Sequence, residues 1–166
     1  MVQLAALAYG VHVVYLARPV YMVFTVDRFE LVNAKDIDPK DLIAVKREQF
    51  RHLSIGRPRF IGVELPTDNE TWMKITQSAM SGKDLQLYPQ YYVEYATQAS
   101  EALKHARRVD LLRERDKAAF DGYLAGSGRI AESLRFLPLR ARMRDVAVLL
   151  DANTGEPLKM LLIDPW

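Results

Sequence analysis

Val146-Ala-Val-Leu-Leu-Asp-Ala-Asn-Thr-Gly-Glu-Pro-Leu-Lys-Met-Leu-Leu-Ile163 is the stretch that decides the fold class of this chain. Val146–Asp151 and Leu158–Ile163 read as strands, and the segment between them, Asp151-Ala-Asn-Thr-Gly155-Glu-Pro, is dense in turn residues. Leu134–Met143 reads as a third strand ahead of them. Strands that follow one another through short turns pair antiparallel, so the C-terminal part is expected to be a meander. Its last strand runs into Asp164-Pro165-Trp166, where a large aromatic is expected to pack against something.

Working towards the N-terminus, the pattern switches from strand to helix and back to strand. Ala99, Ala102, Leu103, Ala106, Val109 and Leu112 form an apolar stripe opposite Glu101, Lys104, Arg107 and Arg108, which predicts one long helix with a break near Asp116. Thr67 and Glu70 fit a capping box for a helix carrying Trp72, Met73, Ile75 and Met80. Asp38-Pro39 supplies an N-cap and a proline in the first turn, predicting a helix through Leu42, Ile43, Val45, Phe50 and Leu53 to Gly56. A short strand covers Arg59–Leu65. Val20–Val26, rich in β-branched and aromatic residues, and Phe29–Asn33 make a hairpin about Asp27-Arg28. An N-terminal hairpin, central helices and a C-terminal meander joined in one sheet define an α+β fold, preceded by a hydrophobic helix.

That helix is the apolar run before Arg18-Pro19, whose strongly polar side chains are Gln3 and His12. It lacks the basic start and cleavage site of a signal peptide. At ~1.5 Å per residue it spans about 25 Å, somewhat short of the ~30 Å hydrocarbon core. Two readings follow, a buried helix with His12 packed inside or the end of a membrane segment. The rest, residues 18–166, is expected to be a single domain.

The composition excludes several chemistries. There is no cysteine, which rules out disulfides, thiolate catalysis and cysteine-based zinc sites. The formal net charge of +2 is too small to point to nucleic acid. His12, His52 and His105 show no metal-ligand spacing, and no cofactor is expected. Gly126-Ser-Gly128 follows a helix rather than opening one, so it reads as a helix stop and not a phosphate cradle. Asp27, Asp151 and Asp164 fall at strand ends. A convergence of two of them would suit general acid–base chemistry, but aspartate in a turn ordinarily satisfies local backbone N–H groups.

Two surface features point instead to recognition. Arg140, Arg142 and Arg144 alternate along a strand, a pattern that projects all three from one face. Tyr88, Tyr91, Tyr92 and Tyr95 crowd one connection, and tyrosine is enriched at interfaces. Both are candidates for contact with a protein partner.

Several strings in fixed order carry a family resemblance: Gln3-Leu-Ala-Ala-Leu-Ala-Tyr-Gly10, Arg18-Pro-Val-Tyr-Met-Val-Phe to Asp27-Arg28-Phe-Glu-Leu-Val, Arg135-Phe-Leu-Pro-Leu, Leu150-Asp to Thr-Gly and Pro-Leu158, and Asp164-Pro165-Trp166. The set resembles the type IV pilin accessory proteins, the FimB-like TfpX/TfpZ family, over most of the chain. The resemblance implies a non-enzymatic, chaperone-like role in assembly or surface display of a cognate major pilin, at the inner membrane of Gram-negative bacteria. It also implies membrane helices upstream, of which residues 1–17 would be the last part, and a domain facing the periplasm. No catalytic residue comes with it. Its marked positions are Arg18, Pro19, Asp27, Arg28, Asp164, Pro165 and Trp166, expected to be structural, with the last strand against the hairpin and Arg18 paired to a carboxylate such as Asp164. An enzyme acting on pilin or on a lipid-linked glycan, and a structural scaffold, are the alternatives.

Overall fold

The computed structural model describes residues 2–166. It is the expected mixture of helices and strands. Helix α1 (Val2–Ala17) leads into strand β1 (Pro19–Phe24), whose hairpin partner β2 (Phe29–Asn33) has the predicted limits. There follow α2 (Pro39–Ile43), β3 (Arg59–Val63), α3 (Asn69–Ala79), β4 (Tyr92–Glu94), α4 (Ala99–His105), β5 (Arg107–Arg108), α5 (Asp110–Arg115) and α6 (Lys117–Ser127). The meander is β6 (Leu134–Arg140), β7 (Val146–Asp151) and β8 (Pro157–Leu161). The strands hydrogen-bond in the order β4-β3-β1-β2-β6-β7-β8, with β5 added to β6.

By internal contacts the chain divides into two compact units. One comprises the chain up to Tyr21, Val32–Arg59 and Glu64–Tyr92; the other comprises Met22–Leu31, Phe60–Val63 and Val93–Trp166. Strands β1, β2, β3 and β4 supply residues to both.

The second unit holds the meander. Here β6 and β7 pair antiparallel from Leu134↔Asp151 to Leu139↔Val146, and β7 pairs antiparallel with β8 across a register shift at Leu149/Leu150. The hairpin meets the meander through a parallel pairing of β2 with β6, Phe29↔Leu139. That corrects the expectation that the last strand would lie against the hairpin, since β8 pairs with β7. Both faces of β6 and β7 are covered. Leu137, Leu139, Val146, Val148 and Leu150 pack with Phe24, Phe29, Tyr95 and Ala102 on one face. Leu134, Phe136, Ala147 and Leu149 pack with Val109, Leu112 and Phe120 on the other. Burial on both faces is why these strands read as continuous apolar runs instead of alternating ones.

The same two faces explain why the long central helix does not form. Ala99, Ala102 and Ala106 serve the first cluster, while Val109 and Leu112 serve the second. A straight helix cannot present one stripe to opposite faces of a sheet. The chain turns extended at Ala106, and Arg107 and Arg108 pair as β5 with Phe136 and Arg135 before α5 begins. The break at Asp116 is as expected: its carboxylate accepts the Ala119 N–H at 2.9 Å and caps α6, which ends at Gly128 in the left-handed conformation.

In the first unit, Tyr21, Phe50 and Tyr92 form an aromatic core with edge-on contacts at 5.4 to 6.5 Å between ring centres. The helix expected from Asp38 to Gly56 stops after one turn. Asp38 does cap it, accepting from Lys40 N–H. Beyond Ala44 the chain extends, and Arg51 Nε donates to the Val45 carbonyl while Phe50 enters the core from a separate short 3-10 turn. The Leu42–Leu53 spacing therefore arises from two turns. In α3 the cap is Asp68, accepting from Thr71 N–H at 2.7 Å, and not Thr67; Glu70 pairs with Lys74. Of the apolar residues expected on α3, Ile75 is buried, whereas Trp72, Met73 and Met80 are exposed.

Helix α1 buries none of its residues. This removes the buried reading of the apolar run, and His12 is exposed rather than packed. No helix of the described residues is long and apolar enough to cross a membrane.

Candidate partner-binding surface

The tyrosine cluster divides by burial. Tyr92 is fully buried and its hydroxyl donates to the Gln86 carbonyl; Tyr95 is 6% exposed and donates to the Gly155 carbonyl at 2.7 Å. Desolvation raises both phenols far above their ordinary range. These two are core residues, which corrects their assignment to a recognition surface. Tyr88 and Tyr91 remain half-exposed. Their rings meet edge-on at 6.4 Å, Tyr88 shares a hydrogen bond with Ser78 at 2.6 Å, and the Lys83 ammonium lies 4.5 Å from the Tyr88 ring centre. Desolvation also raises the Tyr91 hydroxyl, so it stays protonated at neutral pH.

The buried pair predicts an alkaline transition. In the unfolded chain a tyrosine ionises near pH 10, whereas folded Tyr92 and Tyr95 keep their protons. Unfolding above that pH releases protons, so stability falls as pH rises, by up to about 2.7 kcal/mol per pH unit for two such groups. The check is absorbance at 295 nm followed together with circular dichroism. The phenols of Tyr92 and Tyr95 should ionise only as the fold is lost, and Tyr92→Phe should reduce by one the number that do so.

The arginine stripe is interrupted by the end of its strand. Strand β6 stops at Arg140 because β7 begins opposite Leu139, leaving residues 140–145 to make the connection. Arg142 and Arg144 thus belong to the turn, and the three side chains do not alternate along one strand. The turn is closed by Asp145, whose carboxylate accepts Ala141 N–H at 2.9 Å. Arg144 donates to the Leu162 carbonyl at 2.6 Å, and Arg140 lies 3.8 Å from Glu30. Arg140, Arg142, Glu30 and Asp145 line a shallow cleft of about 330 Å³ with Leu31 and Ala141.

A second cluster gathers the residues marked at the hairpin and the tail. The guanidinium groups of Arg28 and Arg107 lie 5.2 and 5.3 Å from the centre of the Trp166 ring. Its indole N–H donates to Asp145 at 2.7 Å and its backbone N–H to Asp164 at 3.0 Å. Arg107 also donates to the Pro165 carbonyl, and Arg28 is held by a two-pronged pair with Asp27. That hydrogen bond keeps the Asp27 carboxyl below its ordinary range. Arg107 and Asp145 were not distinguished in the sequence; Arg107 was read as helix surface, and Asp145 falls between two of the expected strands. Arg18 is elsewhere occupied. It donates to the Tyr15 carbonyl at 2.6 Å and stacks 3.7 Å from the Tyr15 ring centre, while Asp164 faces Arg115 at 3.7 Å. The expected Arg18–Asp164 pair does not form. Pro19 opens β1.

The three aspartates are each engaged on their own turn. Asp27 holds Arg28; Asp151 accepts from Asn153 and Thr154 N–H and from Arg129; Asp164 takes Trp166 N–H. None of them lines the clefts described. Among the described residues no group of three or more His, Cys, Asp or Glu is placed to hold a metal ion.

The fold is α+β, and the marked side chains at the hairpin and the tail are engaged in packing, local hydrogen bonds and ion pairs. No family model matches the chain, and no solved structure matches it. It is similar to two fimbrial assembly proteins of Dichelobacter nodosus, those of serogroup I and serogroup E1, each 27% identical over 157 residues. The matched region covers 92% of this chain and 61% of each relative, so the chain spans about three-fifths of the relatives' length. This distant similarity supports a place among fimbrial assembly proteins.

Proposed function

We propose that this chain is the pilin-handling domain of a type IV pilus assembly factor of the TfpX/TfpZ kind, acting by binding rather than by catalysis. The observation that carries the reading is similarity to fimbrial assembly proteins along nearly the whole chain. Three features agree with it. The arginine turn and the half-exposed Tyr88–Tyr91 pair offer polar and aromatic contact groups. The aspartates that an enzyme would need are occupied in separate turns. Helix α1 presents Leu4, Leu7, Tyr9, Val11 and Val14 at 62 to 72% exposure, a surface suited to lipid or to apolar segments. In this reading α1 lies at the inner membrane, the rest of the chain faces the periplasm, and the domain holds or orients a cognate major pilin before or during its extraction from the bilayer.

The test is photocrosslinking of the full-length protein to its co-encoded pilin in membranes, with photoreactive residues at Tyr91 and Arg142. Crosslinks that vanish when a non-cognate pilin is substituted are expected. Their absence at both positions, with the protein folded and inserted, would move the function to a scaffold.

A further inference from the structure

Helix α1 changes chemistry abruptly at its end. The segment Val2–Ala17 holds no aspartate, glutamate, lysine or arginine and buries none of its residues. Arg18 follows at once. Its guanidinium donates to the Tyr15 carbonyl at 2.6 Å and lies 3.7 Å from the centre of the Tyr15 ring, so it folds back over the last turn of the helix, beside a tyrosine that is 50% exposed. No linker separates the helix from the chain that follows. Strand β1 opens at Pro19, and the Arg18 carbonyl accepts the Ala34 N–H at 2.9 Å, which pins a 3-10 turn over Ala34–Asp36 to the helix end. Ala34 is buried in that turn, and Lys35, the next residue, is exposed.

The protein does not neutralise the two cations at this step. Neither Arg18 nor Lys35 has an ion-pair partner among the described residues, and the bond to Tyr15 uses a single N–H of the Arg18 guanidinium. The carboxylates nearest in sequence are engaged by other groups. Asp36 accepts from Asn33 at 3.1 and 2.9 Å, Asp38 accepts the Lys40 N–H at 2.9 Å, and Asp41 pairs with Lys83. The helix itself selects the medium around it. A helix that docks in a protein groove lays down one apolar face and keeps a polar one for water, whereas α1 is apolar and uncovered on every side. Hydrocarbon covers all sides of such a helix at once. Where it meets water, tyrosine rings and snorkelling cations sit at headgroup level, which puts their charge among the lipid phosphates. Free phosphate would satisfy the cations and leave α1 uncovered.

We propose that Arg18 and Lys35 form a headgroup site: with α1 embedded in the bilayer they bind the phosphates of anionic lipids and, with Tyr15 at the same boundary, fix the level at which the chain emerges. The proposal rests on the reading that α1 lies at the inner membrane. It adds the lipid chemistry that is recognised and the residues that recognise it.

The test is flotation of the full chain with vesicles of phosphatidylcholine alone and with vesicles that also contain phosphatidylglycerol. The chain should float with both and partition more strongly onto the anionic ones, a preference that added salt removes. Lys35→Gln, at an exposed position, should reduce the preference about fivefold, the share of one lysine near an anionic surface, and Arg18→Gln by a similar factor. Neither should change partition onto phosphatidylcholine. Lys159→Gln removes the same charge from an exposed position on β8 and should leave the preference as it is. Equal partition onto the two vesicles, or equal losses from Lys35→Gln and Lys159→Gln, would overturn the headgroup site and spare the placement of α1. No partition onto either vesicle would overturn both. Release from anionic vesicles by inorganic phosphate, beyond that caused by sodium chloride at the same ionic strength, would make this a free-phosphate site and sink the proposal. In membranes, a photoreactive residue at Lys35 should crosslink to lipid. Crosslinks to pilin there instead would make the two cations a protein contact, and crosslinks at Tyr91 report on pilin handling separately.

Discussion

Tyr92→Ala should lower the unfolding free energy by about 3–5 kcal/mol, the range for removing a buried aromatic ring. The ring is fully buried, and it touches Tyr21 and Phe50, which are equally buried. Truncation therefore leaves a cavity bounded by two rings that cannot both move inward, because the Tyr21 hydroxyl is tied to the His52 carbonyl at 3.1 Å. It also leaves the Gln86 carbonyl without its donor. Since a typical domain is stable by only ~5–15 kcal/mol, the loss is a large share of the total. Tyr92→Phe separates the two contributions. It keeps the ring and removes the hydrogen bond, and should cost about 1–2 kcal/mol. Urea unfolding of the three proteins, followed by circular dichroism, gives the comparison. A midpoint for the alanine variant close to that of wild type would show that the aromatic cluster does not hold the unit together.

What the sequence disclosed about the fold divides along physical lines. Strands β2 and β7 were legible to the residue, and β1 to within two residues, because β-branched and aromatic runs were bounded by turn chemistry, as in Asp27-Arg28 and Asp151–Gly155. Helical periodicity misled in two places. Residues 99–112 keep a helical stripe although the chain crosses from one face of the sheet to the other at Ala106, and no local signal marks a crossing whose cause is two separate apolar clusters. Residues 42–53 show helical spacing although they fold as two short turns, of which only the second puts a residue, Phe50, into the core. The parallel pairing of β2 with β6 joins segments more than a hundred residues apart, which pattern within either segment does not encode.

The candidate site was legible as residue types and not as exposure. Tyr88, Tyr91, Tyr92 and Tyr95 look alike in sequence, yet two complete the core and two do not, because a chain alternating 3-10 turns with a short strand has no single period. The arginine alternation was genuine as a pattern, but strand β6 ends inside it.

Gly155→Ala should cost about 3 kcal/mol or more, although it adds a single methyl group. The turn it occupies holds the residue at φ +74°, in the left-handed region that costs a side-chain-bearing residue roughly 1–2 kcal/mol. The larger part is steric. A Cβ there would lie 2.5 Å from the Ala99 carbonyl oxygen and 3.1 Å from Leu103 Cγ, and backbone at the start of α4 cannot rotate aside as a side chain does. The turn must retreat, and with it go the hydrogen bonds from Tyr95 Oη to the Gly155 carbonyl and from Gly155 N–H to the Asp151 carbonyl. Gly128→Ala is the matched control. It also has a positive φ, +65°, but nothing lies within 4 Å of its added carbon, so only the conformational cost applies. The difference between the two urea midpoints measures the close approach of α4 to the β7–β8 turn. Near-equal losses would mean that this approach is loose, and that the fixed position of Tyr95 in the core has some other cause.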